Sequence, residues 1–230
     1  MDSDNLLQES RRLDWRFLLP RADLNQVAYY GPKGSPLAES LKQFSGSFTR
    51  LEETTDLTSG EKGFDVLVMV DPIEGDIRKW SGFLLAKGSL YIENHGFTEA
   101  GWWTGTKRDW GNRPGRTINS FWRILSEVRE VGFQCIQKYW LWPNFEAATR
   151  VIPLDEEYGL RYLISRGRGG RGAVTAGKFI RTLVKANLLQ PCVPCLSILA
   201  VGRREPALPV REGDRYQAGS PGVEDRTGEP

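Results

Sequence analysis

The sequence predicts an α/β layered sheet with mostly parallel strands and an antiparallel last strand. Three observations predict it. Strand-like runs alternate with helical patterns from Asn25 to Trp142, the order of a layered α/β chain. The clearest run, Phe64–Val70 (FDVLVMV), is continuous rather than alternating, as a parallel strand covered on both faces requires. The last two strand signals, Phe133–Trp142 and Leu196–Val201, flank a long excursion rather than a simple crossover, which permits an antiparallel final strand.

The elements follow in order. Residues 1–12 read as a frayed or helical lead-in, and Trp15–Pro20 as an apolar anchor beside the first strand. Asn25–Tyr30 is a short strand. Gly31-Pro32-Lys33-Gly34 turns it into a helix whose Leu37, Leu41 and Phe44 recur at helical spacing, with Pro36 suited to its first turn. A second strand spans Phe48–Leu51. Phe64–Val70 is stopped abruptly by Asp71-Pro72. A weak helix over Gly75–Leu85 leads through a Lys87-Gly88-Ser89 turn to the strand Leu90–Asn94. Residues 96–117 are a Gly/Trp-rich loop, of the length that usually carries function. Asn119–Val131 is amphipathic through Phe121, Trp122, Leu125 and Val128, and Gly132 stops it. After Phe133–Trp142, a short helix is expected over 160–165 and a further helix over 174–189, separated by the basic loop 166–172. Three units result: a lead-in (1–23), an α/β domain (24–202) and a disordered Pro/Gly-rich tail (203–230).

Composition narrows the function classes. The chain has 230 residues, enough for one sizeable core, and a net charge of +2 that by itself argues for neither nucleic acid nor membrane. No apolar run approaches the roughly 20 residues of a membrane span. The three cysteines are too few and too odd for a disulfide scaffold, and with the acidic N-terminus they point to the cytoplasm.

Several residues stand where chemistry is done. Gly31 and Gly34 could let a cofactor approach the carboxyl edge of the sheet, where open α/β sheets bind ligands; an ordinary strand-to-helix turn would use the same residues. Asp71 ends a buried strand at that edge, as ligand, or else as a helix N-cap or turn carboxylate. His95 is the only histidine and so the natural general base near neutrality, unless it is simply structural. Trp102, Trp103 and Trp140 offer an aromatic substrate wall, or else a lid packed on the core. Cys192-Val193-Pro194-Cys195 reads as a structural pair ahead of an apolar strand. Arg166–Gly172 reads as a solvated loop rather than an RNA contact.

Three stretches together resemble the class I S-adenosylmethionine-dependent methyltransferases. Phe64–Val70 with Asp71-Pro72 looks like the family's fourth strand and its acidic end. Leu84–Glu93 looks like its helix, turn and fifth strand, and Val128–Phe133 leading to Tyr139 like the entry to its sixth. The likeness spans roughly residues 24–202 and implies a Rossmann-like three-layer sandwich that binds S-adenosylmethionine. It also implies a carboxylate, Glu52 or Glu53, for the ribose hydroxyls at the end of the second strand. The glycine-rich motif is degenerate: Tyr29-Tyr30 replace the usual acid, and Pro32 removes a backbone donor. The expected activity is O- or N-methyl transfer to a small molecule, with His95 catalytic, Gly31, Gly34, Glu52 and Asp71 holding cofactor, and Trp102, Trp103 and Trp140 holding substrate. The alternative is a degenerate methyltransferase-like module that binds a partner protein or metabolite.

Overall fold

The structure, a computed structural model, describes residues 10–52, 63–95, 118–142, 144–145, 148–155 and 195–203. A 3-10 helix (Asp14–Leu18) precedes β1 (Gln26–Tyr30), α1 (Pro36–Phe44), β2 (Ser47–Arg50), β3 (Phe64–Val70), α2 (Asp76–Ser81), β4 (Leu84–His95), α3 (Ile118–Glu130), β5 (Phe133–Trp142), β6 (Arg150–Pro153) and β7 (Cys195–Arg203). The seven strands form one sheet in the order β2-β1-β3-β4-β7-β5-β6. β2, β1, β3 and β4 pair in parallel, whereas β7 runs antiparallel to both β4 and β5. The last strand is therefore antiparallel, as expected, and it sits inside the sheet rather than at its edge.

Side-chain alternation sorts the core into two layers around that sheet. Ala28, Tyr30, Leu67, Met69, Leu90 and Ile92 face α2 and α3, meeting Ile77, Trp80, Phe121, Leu125 and Val128. Val27, Tyr29, Val66, Val68 and Tyr91 face the other way, onto Leu37 and Leu41 of α1 and onto Leu13 and Trp15 of the N-terminal segment. The result is the three-layer, Rossmann-like sandwich. Local signals set the helix ends: Ser35 caps α1 by accepting from the Ala38 N–H at 3.1 Å, with Pro36 in the first turn. Gly132, at φ 97°, stops α3 in a conformation glycine adopts without cost.

Two elements differ from expectation. The helix predicted over Gly75–Leu85 ends at Ser81, because Leu84 pairs with Phe64 of β3 and so already belongs to β4. Lys87-Gly88-Ser89 is consequently not a turn but part of a bulge: the next pair after Phe64–Leu84 is Val66–Ser89. Gly88 is needed there, since a Cβ would lie 3.0 Å from the carbonyl oxygens of both Leu85 and Phe64. β6 was not expected at all. The 96–117 loop, the helices at 160–165 and 174–189, the 166–172 loop, Cys192 and the tail from 204 lie outside the described residues.

Candidate active site at the carboxyl edge of the sheet

The connection from β1 to β2 places its strand on one side of β1, and the chain then crosses to the other side to build β3 and β4. The carboxyl ends of β1 and β3 thus form the topological switch point, the usual ligand crevice of an open α/β sheet. Three features meet along this edge: the Gly31–Gly34 turn, Asp71 after β3, and the Glu93-Asn94-His95 end of β4.

Asp71 and His95 form a pair. The register Val70–Glu93 sets β3 and β4 so that the Asp71 N–H donates to the Glu93 carbonyl at 2.8 Å. The Asp71 carboxylate then takes both polar handles of His95: Oδ1 accepts the backbone N–H at 2.8 Å, and Oδ2 lies 2.7 Å from ring Nδ1. Asp71 reaches this position with φ 50°, the only positive φ of a non-glycine among the described residues, a region aspartate tolerates better than most side chains. Neutral His95 holds its proton on Nδ1 in this arrangement, so Nε2 is its basic nitrogen. Asp71 is thus neither a helix cap nor a plain turn carboxylate, since Gly75 occupies the cap position of α2.

A second layer lies behind the pair. Glu93 is fully buried and receives the Arg12 guanidinium in fork fashion, Nη1 to Oε1 at 2.6 Å and Nη2 to Oε2. The Tyr91 hydroxyl donates to the same Oε1 at 3.2 Å, and burial first, then the Glu93 charge, pushes that phenol well above its ordinary range. Trp15 stacks flat on Tyr91 with ring centres 3.8 Å apart. Phe145 joins the layers, with its ring edge-on to His95 at 4.8 Å and under the Arg12 guanidinium at 5.6 Å. Arg12 and Phe145 did not emerge from the sequence. The available signal was Glu93 itself, an acid at an inward position of an apolar strand, which demands a buried cation.

The turn after β1 is more closed than its glycines suggest. A Cβ on Gly31 would lie 2.5 Å from the Tyr29 hydroxyl and 3.1 Å from Val70 Cβ, so this glycine admits the Tyr29 ring. That hydroxyl bonds the α1 cap at Ser35 Oγ, 2.7 Å away, and burial pushes its pKa up to about 12. Gly34 is different. It sits at φ 64°, with nothing within 4 Å of where a Cβ would be. Glu52 is half exposed and leans toward the turn, 3.4 Å from Lys33 Nζ and 3.6 Å from Arg50 Nη1. Arg50 Nη2 also reaches the Gly31 carbonyl at 3.5 Å, while its buried Nε has no partner among the described residues.

The expected residues therefore fall into groups. Asp71 and His95 are in direct contact, and Gly31, Gly34 and Glu52 gather at the adjacent turn. Trp140 packs against the layer formed by α2 and α3 and edge-on to Trp142 at 5.1 Å, its indole N–H buried without a partner among the described residues. Trp102 and Trp103 lie outside the described residues.

No protein-family model and no curated protein matches the sequence. Several solved structures match this chain at a distance. The plantazolicin methyltransferase BpumL, in complex with SAH, superposes over 86% of this chain and 83% of its own, at 10% identity and a TM-score of 0.44. A SAM-dependent O-methyltransferase from Thermotoga maritima covers 86% and 67%, at 13% identity and 0.39. A SAM-dependent methyltransferase from Thiobacillus denitrificans, in complex with S-adenosyl-L-homocysteine, covers 89% and 92%, at 11% identity and 0.35. These are distant neighbours, and what this site can do follows from its own residues. No helix among the described residues is long and apolar enough to cross a membrane.

Proposed function

We propose that the chain is an S-adenosylmethionine-dependent methyltransferase acting on the oxygen or nitrogen of a small molecule. The carrying observation is the Asp71–His95 pair at the carboxyl ends of β3 and β4, beside the turn at the sheet's switch point. Bound there, S-adenosylmethionine would supply an electrophilic methyl group. Two features fit the cofactor: the open left-handed position at Gly34, and the Glu52 carboxylate leaning over the turn, suited to ribose hydroxyls. Asp71 holds His95 in the tautomer whose Nε2 can take the proton of an acceptor hydroxyl or amine. Positioning supplies the rest of the rate.

Tyr29 favours a second reading. Its ring fills the space beside Gly31 that a more open turn would leave, as in a methyltransferase-like module that binds a metabolite or partner protein without transferring a methyl group. Isothermal titration with S-adenosylmethionine and S-adenosylhomocysteine separates the two: the first reading expects saturable heat from both, and its absence at high protein concentration sinks it. Gly34→Trp places a bulky side chain in open space and should abolish binding. Unchanged affinity would put the cofactor elsewhere.

A further inference from the structure

A cleft of about 70 Å³ opens between the N-terminal segment and residues of β5 and β6, and Phe145, which also meets His95, is among its lining residues. Its walls are apolar where Trp15, Leu141 and Phe145 line it, but Arg11, Arg12 and Arg150 also reach it, against one acid, Asp14. Arg12 is held by Glu93. The guanidinium groups of Arg11 and Arg150 have neither an ion pair nor a hydrogen bond among the described residues. Two arginines without an ion pair among the described residues, against one carboxylate, leave the lining of this partly apolar cleft with an excess of positive charge. Arginine is also the side chain whose planar fork matches carboxylate and phosphate oxygens. The cleft is small, at about 70 Å³, and suits a compact anionic group.

We propose that this cleft binds the anionic group, carboxylate or phosphate, of the methyl acceptor through Arg11 and Arg150. The proposal rests on the methyl-transfer reading above for the word acceptor, but not for the anion site. Phe145 links the two places: its ring centre lies 4.8 Å from that of His95, at a steep angle, and the same residue lines the cleft. An acceptor anchored by its acid group in the cleft would pass Phe145 to present a hydroxyl or amine toward His95.

The test titrates the full-length protein with inorganic phosphate and, separately, with acetate at constant ionic strength, following backbone amide shifts of Thr149 and Val151 by NMR. Saturable shifts with either anion are expected, and the tighter of the two identifies the acceptor as a phosphate ester or a carboxylic acid. Arg11→Ala with Arg150→Ala should weaken binding by about tenfold or more, the scale of losing charge-assisted hydrogen bonds. The charge-matched pair Arg78→Ala and Arg129→Ala, on α2 and α3, should leave it unchanged. Absence of saturation with both anions, or equal weakening in both double variants, overturns the proposal. Anion binding lost only in the cleft variant, in a protein that ignores S-adenosylmethionine, keeps the site and removes the methyl-transfer reading.

Discussion

Replacing Arg12 by alanine tests whether the buried ion pair fastens the N-terminal segment to the sheet. Glu93 is 1% exposed and draws its charge compensation from the two arms of Arg12, with the Tyr91 hydroxyl as a neutral third donor. Arg12→Ala removes both charged donors and leaves a desolvated carboxylate with one phenol. Breaking a buried pair in this way costs about 3–5 kcal/mol. In a chain of this size each kcal/mol moves the melting temperature by about 2–4 °C, so a fall of roughly 6–20 °C is expected. Arg12→Met with Glu93→Leu removes the stranded charge instead. Because apolar replacement of a buried pair is often neutral, the double variant should recover most of the loss. Ser197 remains a hydrogen-bond partner for the Tyr91 hydroxyl in that variant. Urea unfolding followed by circular dichroism measures both. A loss under about 1 kcal/mol for Arg12→Ala, well short of a buried pair's scale, or a double variant no better than the single, would refute the reasoning.

Four further outcomes follow from the turn and the helices. Gly31→Ala drives a methyl group into Tyr29 and Val70 and should cost about 1–3 kcal/mol in urea unfolding. Gly34→Ala meets nothing and carries only the strain of its positive φ, about 1 kcal/mol. Burial raises the Tyr29 phenol to about 12 in the folded chain, so its contribution is complete below the unfolded value near 10 and is lost as pH rises between the two. Tyr29→Phe should therefore flatten the alkaline loss of stability in unfolding curves from pH 8 to about 12. It should also cost about 1 kcal/mol at neutral pH through the bond to Ser35. Burial likewise raises the Glu127 carboxyl, against the Gly75 N–H that donates to it at 2.6 Å. A raised carboxyl stabilises most when protonated, so its contribution fades as pH climbs through the folded value. Glu127→Gln keeps an acceptor for Gly75, and should be more stable than wild type at pH 7 but not at pH 4. The reverse order would mean that the charge itself holds α3 to the β3–α2 connection.

The legible parts of the fold were those fixed by local pattern. β1, β3 and β5 announce themselves by apolar runs, and α1 and α3 by their stripes and punctuating Ser35, Pro36 and Gly132. The α2–β4 boundary was misplaced because Leu84-Leu85-Ala86 suit a helix as well as a strand, and only pairing with Phe64 decides. β6 is four residues ending in proline, and its existence depends on β5 as a template. The site divides the same way. Asp71 and His95 each drew notice for where they stand in sequence, but their contact depends on the β3–β4 register. The Arg12–Glu93 pair joins residues 81 positions apart, a separation that no local pattern encodes. Gly31 pointed to a ligand in the sequence and to Tyr29 in three dimensions, since glycine makes room equally for either.

The position of β7 bears on how the chain can be made. Synthesis delivers β1 to β4 first and β5 and β6 next, yet the strand that joins β4 to β5 comes after both. Until Cys195–Arg203 arrives, the growing chain holds two partial sheets, each with a raw inner edge of apolar residues. Such edges invite pairing with other chains. A product stopped short of Cys195 would retain every residue of the Asp71–His95 pair and the Arg12–Glu93 latch, and still be two halves without a keystone.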